Sequence, residues 1–259
     1  MLVFITSIRH PRNCFSFKHV LTLLNHTLDS VLAQSAAEFK IIVVCNEKSI
    51  PVKHPDVEFL EVNFLPPSDL EHPKTGMNAI QIDRGCKYAC GLIYAKRFDP
   101  VHVMFFDADD LLHRNIAATV LAEPDSDGWY IDQGYSFKMG ASHMTLLDNF
   151  HTHCGTSHIV RYNSLPMPLS LDWDADQKEF IAELGESYIK SRLGSHRFTV
   201  NTQSKAGFKL SPLPFPGAIW VLGHGENHSG RSGQDGMIEI SSDFRQQYGI
   251  PRKYLGTNK

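Results

Sequence analysis

The 259-residue chain contains no apolar run of 18 residues, so no transmembrane helix is expected. Nor is there a surplus of positive charge: 25 Lys and Arg stand against 28 Asp and Glu, a net of −3. Binding to nucleic acid, which draws its non-specific affinity from phosphate contacts, is therefore not expected. Paired cysteines are missing as well. Cys14, Cys45, Cys86, Cys90 and Cys154 are odd in number and irregular in spacing. That argues against a disulfide framework or a zinc ribbon and reads as reduced thiols in a cytoplasmic protein. The apolar start, residues 1–8, is too short for a signal peptide and lacks a basic region ahead of it. Peripheral attachment to the inner face of a membrane stays open. What the chain does have is a globular composition, 42% apolar and 20% charged, which excludes disorder. At this length roughly three quarters of the unfolded surface is buried, so no disulfide or structural zinc is needed to fold. Histidine is the one surplus, at 14 residues.

The first half alternates strand and helix signals. Residues 3–8, 41–45 and 101–106 are short apolar runs of the kind found in strands buried on both faces, and 57–62 alternates apolar with acidic residues. Ser16 is placed to cap a helix whose apolar positions Phe17, Val20, Leu21, Leu24, Leu28, Val31 and Leu32 recur at three and four. Residues 84–97 carry Cys86, Ala89, Cys90 and Ile93 on one stripe, and a further helix is expected over 113–122. This order predicts an α/β fold with an open, mostly parallel twisted sheet and helices on both faces. The second half is less regular. Strands are expected over 129–137, 158–162 and 218–222, and a long helix over 175–193.

In such sheets ligands sit beyond the carboxyl ends of the strands. Asp-x-Asp occurs four times, at 107/109, 125/127, 172/174 and 174/176, but only the first follows a buried strand, Val101-His-Val-Met-Phe-Phe106. Two carboxylates in a tight turn repel one another unless a cation lies between them, and hard divalent cations prefer oxygen ligands. Asp107 and Asp109 are therefore candidate metal ligands, and Asp110 is expected to cap or flank the next helix.

Phe105-Phe-Asp-Ala-Asp-Asp110 after an apolar strand resembles the Asp-x-Asp motif of GT-A glycosyltransferases, most closely glycosyltransferase family 2. Ile5-Thr-Ser-Ile-Arg-His10, Ile41–Asn46 and Asp83-Arg-Gly-Cys-Lys87 are similar to the stretches these enzymes place around the nucleotide. The resemblance covers about residues 1–165. It implies one GT-A domain, with a nucleotide-binding half over 1–122 and an acceptor and metal-loop half over 123–259. It implies a nucleotide-diphosphate sugar donor, most often a UDP-sugar, with Mn²⁺ or Mg²⁺, and a saccharide, lipid or protein acceptor. Ser7, Arg9, Asn46, Lys74, Asp83, Lys87, Asp107, Ala108 and Asn227 are then the donor-binding candidates, with Arg231 behind them. Asp109 is then expected to coordinate the metal, and Asp107 to bind ribose and reach the metal directly or through water. A third ligand is expected from Gly223-His-Gly-Glu-Asn-His-Ser-Gly230, either His224 or, in its place, His228 or Glu226.

An inverting transferase also needs a proton acceptor. The acidic pair that the family places in the acceptor region has no clear counterpart here. Asp172, Asp174, Asp176 and His196 are the candidates, Asp172 and His196 foremost, and Trp173 is a candidate acceptor contact. A retaining reaction without a protein base also stays open. So does a catalytically weak or inactive nucleotide-sugar-binding protein on the same fold. A nucleotidyltransferase is disfavoured, because Ser7-Ile-Arg-His-Pro-Arg-Asn13 after the first strand has no glycine. A metallohydrolase is disfavoured by the scattered spacing of the histidines.

Overall fold

The structure is a computed structural model; it describes every residue except 49–52, 70–74, 169, 228–235 and 256–259. The elements run β1 (Leu2–Ser7), α1 (Phe17–Leu32), β2 (Phe39–Cys45), β3 (Val57–Glu61), α2 (Met77–Ala95), β4 (His102–Phe105), β5 (Leu111–Leu112) and α3 (Ile116–Ala122). They continue with β6 (Gly128–Tyr130), β7 (Gly134–Lys138), β8 (His143–Leu147), β9 (His158–Arg161), α4 (Gln177–Leu184) and α5 (Glu186–Tyr188, prolonged by a π turn over Ile189–Leu193). Last come α6 (Thr199–Lys205), β10 (Ser211–Pro212), β11 (Ala218–Leu222), β12 (Ile238–Glu239) and α7 (Ser242–Tyr248).

Seven strands form the main sheet in the order β10-β6-β9-β4-β1-β2-β3. Strands β4, β1, β2 and β3 are mutually parallel, and β9 runs antiparallel between β4 and β6. Both faces are covered, which is why β1 is apolar without a break from Leu2 to Ile5. Leu2 and Phe4 pack with Val20, Leu24, Leu28 and Val31 of α1. Val3 and Ile5 point the other way, onto Cys86, Ala89 and Cys90 of α2. A five-stranded sheet, β12-β8-β7-β11-β5, adjoins it. The expected strand over 129–137 is in fact two, β6 and β7, one in each sheet.

Helix α1 begins as expected, with the Ser16 hydroxyl accepting from the His19 N–H at 3.3 Å. Helix α2 starts seven residues earlier than its cysteine stripe suggests, because Ile80 extends the buried face toward Gly76. The helix expected over 175–193 breaks at Gly185, whose φ of +82° is a left-handed value that favours glycine. Among the described residues no helix is long and apolar enough to cross a membrane.

Two glycines fix how α2 meets the second half. A Cβ on Gly85 would lie 2.3 Å from the Ile189 carbonyl oxygen, and one on Gly194 would lie 2.1 Å from that of Gln81. The π turn therefore packs backbone-to-backbone on α2 and delivers residues 195–197 to the sheet's carboxyl edge. Gly194→Ala is expected to destabilise the chain by about 1–3 kcal/mol through this clash. Urea denaturation reads the loss.

Candidate active site

A cleft of about 280 Å³ opens at the carboxyl ends of β1 and β4. Its floor is the acidic turn. Thr27 Oγ1 of α1 donates to the Ala108 carbonyl at 3.1 Å, and Asp110 N–H donates to the Asp107 carbonyl at 3.3 Å. The three acids then separate by role. Asp110 is fully buried and does not cap α3, whose N-cap is Asn115. Its carboxylate accepts from Thr156 Oγ1 at 2.5 Å, Cys154 Sγ at 3.0 Å and the Val221 N–H at 3.1 Å, tying the turn to the loop before β9 and to β11. Burial pushes its carboxyl well up, and Asp109 and Asp107 add to the shift. Asp107 and Asp109 face the cleft instead.

Asp107 has Arg84 Nη1 3.3 Å from Oδ1 and a hydrogen bond from the Gly155 backbone. Burial still raises its carboxyl above the ordinary range, against the pull of the Arg84 guanidinium and with Asp109 adding to the rise. A Cβ on Gly155 would sit 2.5 Å from Asp107 Oδ2, so the loop approaches the carboxylate as closely as a glycine allows.

The loop after β11 closes the cleft. Asn227 ties it back to its strand: Oδ1 accepts from the Gly223 N–H at 3.0 Å and Nδ2 donates to the Val221 carbonyl at 3.0 Å. Glu226 is not a metal ligand in this arrangement. Its Oε2 pairs with Arg9 Nη1 at 3.0 Å, its Oε1 accepts from the Ser16 N–H at 2.8 Å, and its carbonyl accepts from Arg9 Nη2. His224, buried, puts Nε2 3.1 Å from Asp109 Oδ2 without the alignment of a hydrogen bond. Its Nδ1 accepts from the Glu226 N–H at 3.2 Å.

Gly194, Ser195, His196 and Arg197 also line the cleft, as do His153 and Cys154 of the loop that touches the acidic turn. Burial first, and the Arg84 guanidinium second, push the His196 imidazole down to about 4. The ring is therefore neutral near pH 7, with a buried Nε2 that has no hydrogen-bond partner.

Of the residues expected from sequence, the structure gathers Ser7, Arg9, Asp83, Asp107, Ala108, Asp109, His196 and Asn227 around this one cleft. His224 stands behind Asp109. Others lie elsewhere. Lys87 is fully buried, and its Nζ donates to the Ile8 carbonyl at 2.9 Å and to Asp83 Oδ2 at 2.7 Å. The pair is an internal strut beneath the β1 turn. Lys87→Met leaves Asp83 charged without its partner and should cost about 3–5 kcal/mol. Combining it with Asp83→Leu should return much of that, as equilibrium denaturation of both variants will show.

Asn46 donates Nδ2 to the Val62 carbonyl at 3.3 Å and the Phe64 carbonyl at 2.9 Å and does not line the cleft. Asp172 is exposed, accepts from the Trp173 N–H at 2.7 Å and is likewise no part of the lining. Asp176 caps α4 in a capping box with Glu179. Trp173 packs edge-on against Tyr94 at 5.6 Å, whereas Trp220 lines the cleft. Lys74, His228 and Arg231 fall outside the described residues. The residues that sequence reasoning passed over are Arg197 and, above all, Arg84. Arg84 shares the cleft-facing stripe of α2 with Met77, Ile80 and Gln81, and a lone arginine on that stripe was the available signal.

No family model matches the sequence, and no curated protein matches it at a significant level. Solved structures do. A fragment of S. aureus TarS, residues 1–349, superposes with a TM-score of 0.51 at 16% identity, over 85% of this chain. The fold is the GT-A glycosyltransferase fold. This chain spans 60% of that fragment's length. Longer TarS and the same fragment in complex with UDP-GlcNAc give TM-scores of 0.46 and 0.44, at 15% and 16% identity, over 86% and 89% of this chain and 37% and 61% of theirs.

Proposed function

We propose that this GT-A chain is a metal-dependent glycosyltransferase, moving a sugar from a nucleoside-diphosphate donor, a UDP-sugar, to a hydroxyl of a saccharide, lipid or protein acceptor. The observation that carries the reading is the pairing of Asp107 and Asp109 with Arg9, Arg84 and Arg197 in one cleft at the sheet's carboxyl edge. Carboxylates for a cation beside guanidiniums for phosphate are what a diphosphate ester with its counter-ion requires.

Two of the three expected ligands, Asp109 and His224, stand as neighbours on a divalent cation would, whereas Asp107 clusters with the buried Asp110 and Cys154 among the described residues and would have to turn toward the other two to complete the set. Neighbouring ligands of a six-coordinate ion with bonds of about 2.1 Å stand about 3 Å apart. Asp109 Oδ2 and His224 Nε2 are separated by 3.1 Å and do not hydrogen-bond. For His224 to serve, its ring must carry the proton on Nδ1 and give up the contact from Glu226 N–H. Mn²⁺ or Mg²⁺ held by Asp107, Asp109 and His224 would neutralise charge on the departing diphosphate. The chain's own groups do the rest. Arg84 and Arg197 face the diphosphate, Ser7 and Ala108 line its approach and Arg9 holds the closing loop through Glu226. His196, neutral, takes the acceptor's proton.

One observation favours a second reading, a nucleotide-sugar-binding protein without catalysis: among the described residues no carboxylate lines the wall formed by 153–155 and 194–197. A donor panel separates the two. Release of UDP from a UDP-sugar with Mn²⁺, stopped by EDTA, supports the transferase. Binding without release supports the second reading, and neither binding nor release contradicts both.

A further inference from the structure

Among the described residues six large apolar side chains are exposed, and four of them, Phe15, Leu65, Met77 and Phe198, are 52% to 73% exposed in one region. Scattered singly, such residues need no explanation. These four are drawn together by contacts of their neighbours. Met77 lines the cleft, and Phe198 follows Arg197, which lines it too. Phe15 precedes Ser16, whose N–H donates to Glu226 of the cleft at 2.8 Å. Asn13 Nδ2 donates to the Ser68 carbonyl at 3.1 Å and to Thr75 Oγ1 at 3.3 Å, so the loops with Phe15 and Leu65 both meet the start of α2. Gly194, four residues before Phe198, meets the Gln81 backbone of the same helix. The four apolar residues therefore stand at or beside the rim of the cleft, gathered about the first turns of α2.

Charge divides along the same segments. The chain holds 28 Asp and Glu, yet none falls within 1–28 or 187–225, the stretches that supply Phe15 and Phe198. Arg12, Lys18, Arg192 and Arg197 are exposed in those stretches. The acids that line the cleft already have a basic neighbour: Asp83 has Lys87, Asp107 has Arg84, Asp109 has His224 and Glu226 has Arg9. Asp69, exposed four residues after Leu65, adds one negative charge near the rim. An apolar fringe that carries cations suits an anionic bilayer. The basic groups meet the lipid phosphates, and the apolar side chains enter between them. A soluble anion would use the cations alone, and an uncharged protein surface the apolar residues alone.

We propose that this rim docks the chain on an anionic phospholipid bilayer, with Phe15 and Phe198 entering the interface and Arg12, Lys18 and Arg192 on the headgroup phosphates. The cleft then opens onto the headgroup layer. The docking is a binding event and stands apart from the chemistry of the cleft. It also narrows the acceptor to a hydroxyl carried by a membrane lipid, and that step rests on the glycosyltransferase reading above.

Sedimentation with vesicles tests the docking without any turnover. The wild-type chain should sediment with vesicles of mixed phosphatidylglycerol and phosphatidylcholine, not with phosphatidylcholine alone, and added salt should release it. A basic residue near an anionic surface contributes about fivefold in affinity, so Arg12→Gln with Lys18→Gln should weaken binding by about 25-fold. Phe15→Ser with Phe198→Ser should weaken it by about tenfold or more. All four side chains are exposed, so melting curves of both double variants should match the wild type. Met237→Ser, which removes an exposed apolar residue just before β12, should bind as the wild type does. A wild-type chain that stays in solution with the anionic vesicles overturns the proposal. So does equal binding to phosphatidylcholine alone, or binding as tight as wild type by either folded double variant. Vesicle binding without UDP release from any donor refutes the transferase reading and leaves the docking established. UDP release by a chain that ignores vesicles does the reverse.

Discussion

Asp109→Asn lowers sugar transfer by about 10²–10³-fold, the usual effect of removing one group that stabilises developing charge. The substitution keeps the shape of the side chain. It leaves untouched the web around Asp110, which holds the turn to Thr156, Cys154 and Val221. The Asp109 side chain is 26% exposed and meets His224 at 3.1 Å, so the variant should stay folded. Asp110→Asn is the informative contrast. It changes an internal group with three donors aimed at it and should cost stability first, by about 1–3 kcal/mol for the polar group left unsatisfied. Initial rates with saturating Mn²⁺, alongside melting curves for both variants, separate the two roles. An Asp109→Asn chain with wild-type rates would remove the metal from the account.

His196→Gln is the second large effect, a loss of about 10²–10⁴-fold in kcat, the range for a general base. On the proposed reading, KM for the donor should hardly move, because His196 is assigned to the acceptor and not to the diphosphate. The pH dependence has a definite sign. The base must be neutral, and burial with Arg84 pushes His196 down to about 4. Wild-type kcat should therefore stay level through neutral pH and fall only as pH drops toward about 4. Stability follows the same ring. In the unfolded chain it takes a proton near the model-compound value of 6.5, and in the folded chain only near 4. Its contribution to stability is thus complete above 6.5 and is lost as pH falls from 6.5 to about 4. His113, pushed down to about 4 by burial and then Arg114, adds to the trend in the same window. Denaturation at pH 7 and pH 5 should show the lower value at pH 5.

The strands of the parallel core were legible because burial on both faces makes a sequence continuously apolar. The acidic turn was legible because it follows such a strand without a break. Lys87 was misplaced for a related reason. Asp83 and Lys87 form an i,i+4 pair whichever way the helix faces, and only packing shows that the lysine lies inside and Arg84 outside. Asp110 was expected at a helix cap because sequence spacing cannot show Thr156 and Cys154 arriving from 44 to 46 residues away. The wall with His196 depends on Gly85 and Gly194 letting two backbones touch, which no periodicity announces. Asp172 lies near a capped helix, as acidic residues at helix starts often do, and the cleft is elsewhere.

The central claim is that Asp107 and Asp109 hold a cation against a nucleoside diphosphate. Calorimetric titration with UDP, with and without Mn²⁺, on the wild-type and Asp109→Asn chains tests it most directly. The account predicts that Mn²⁺ tightens UDP binding to the wild-type chain by at least about tenfold and changes nothing for Asp109→Asn. Equal tightening in both chains, or no UDP binding to the wild-type chain with the metal present, would contradict it.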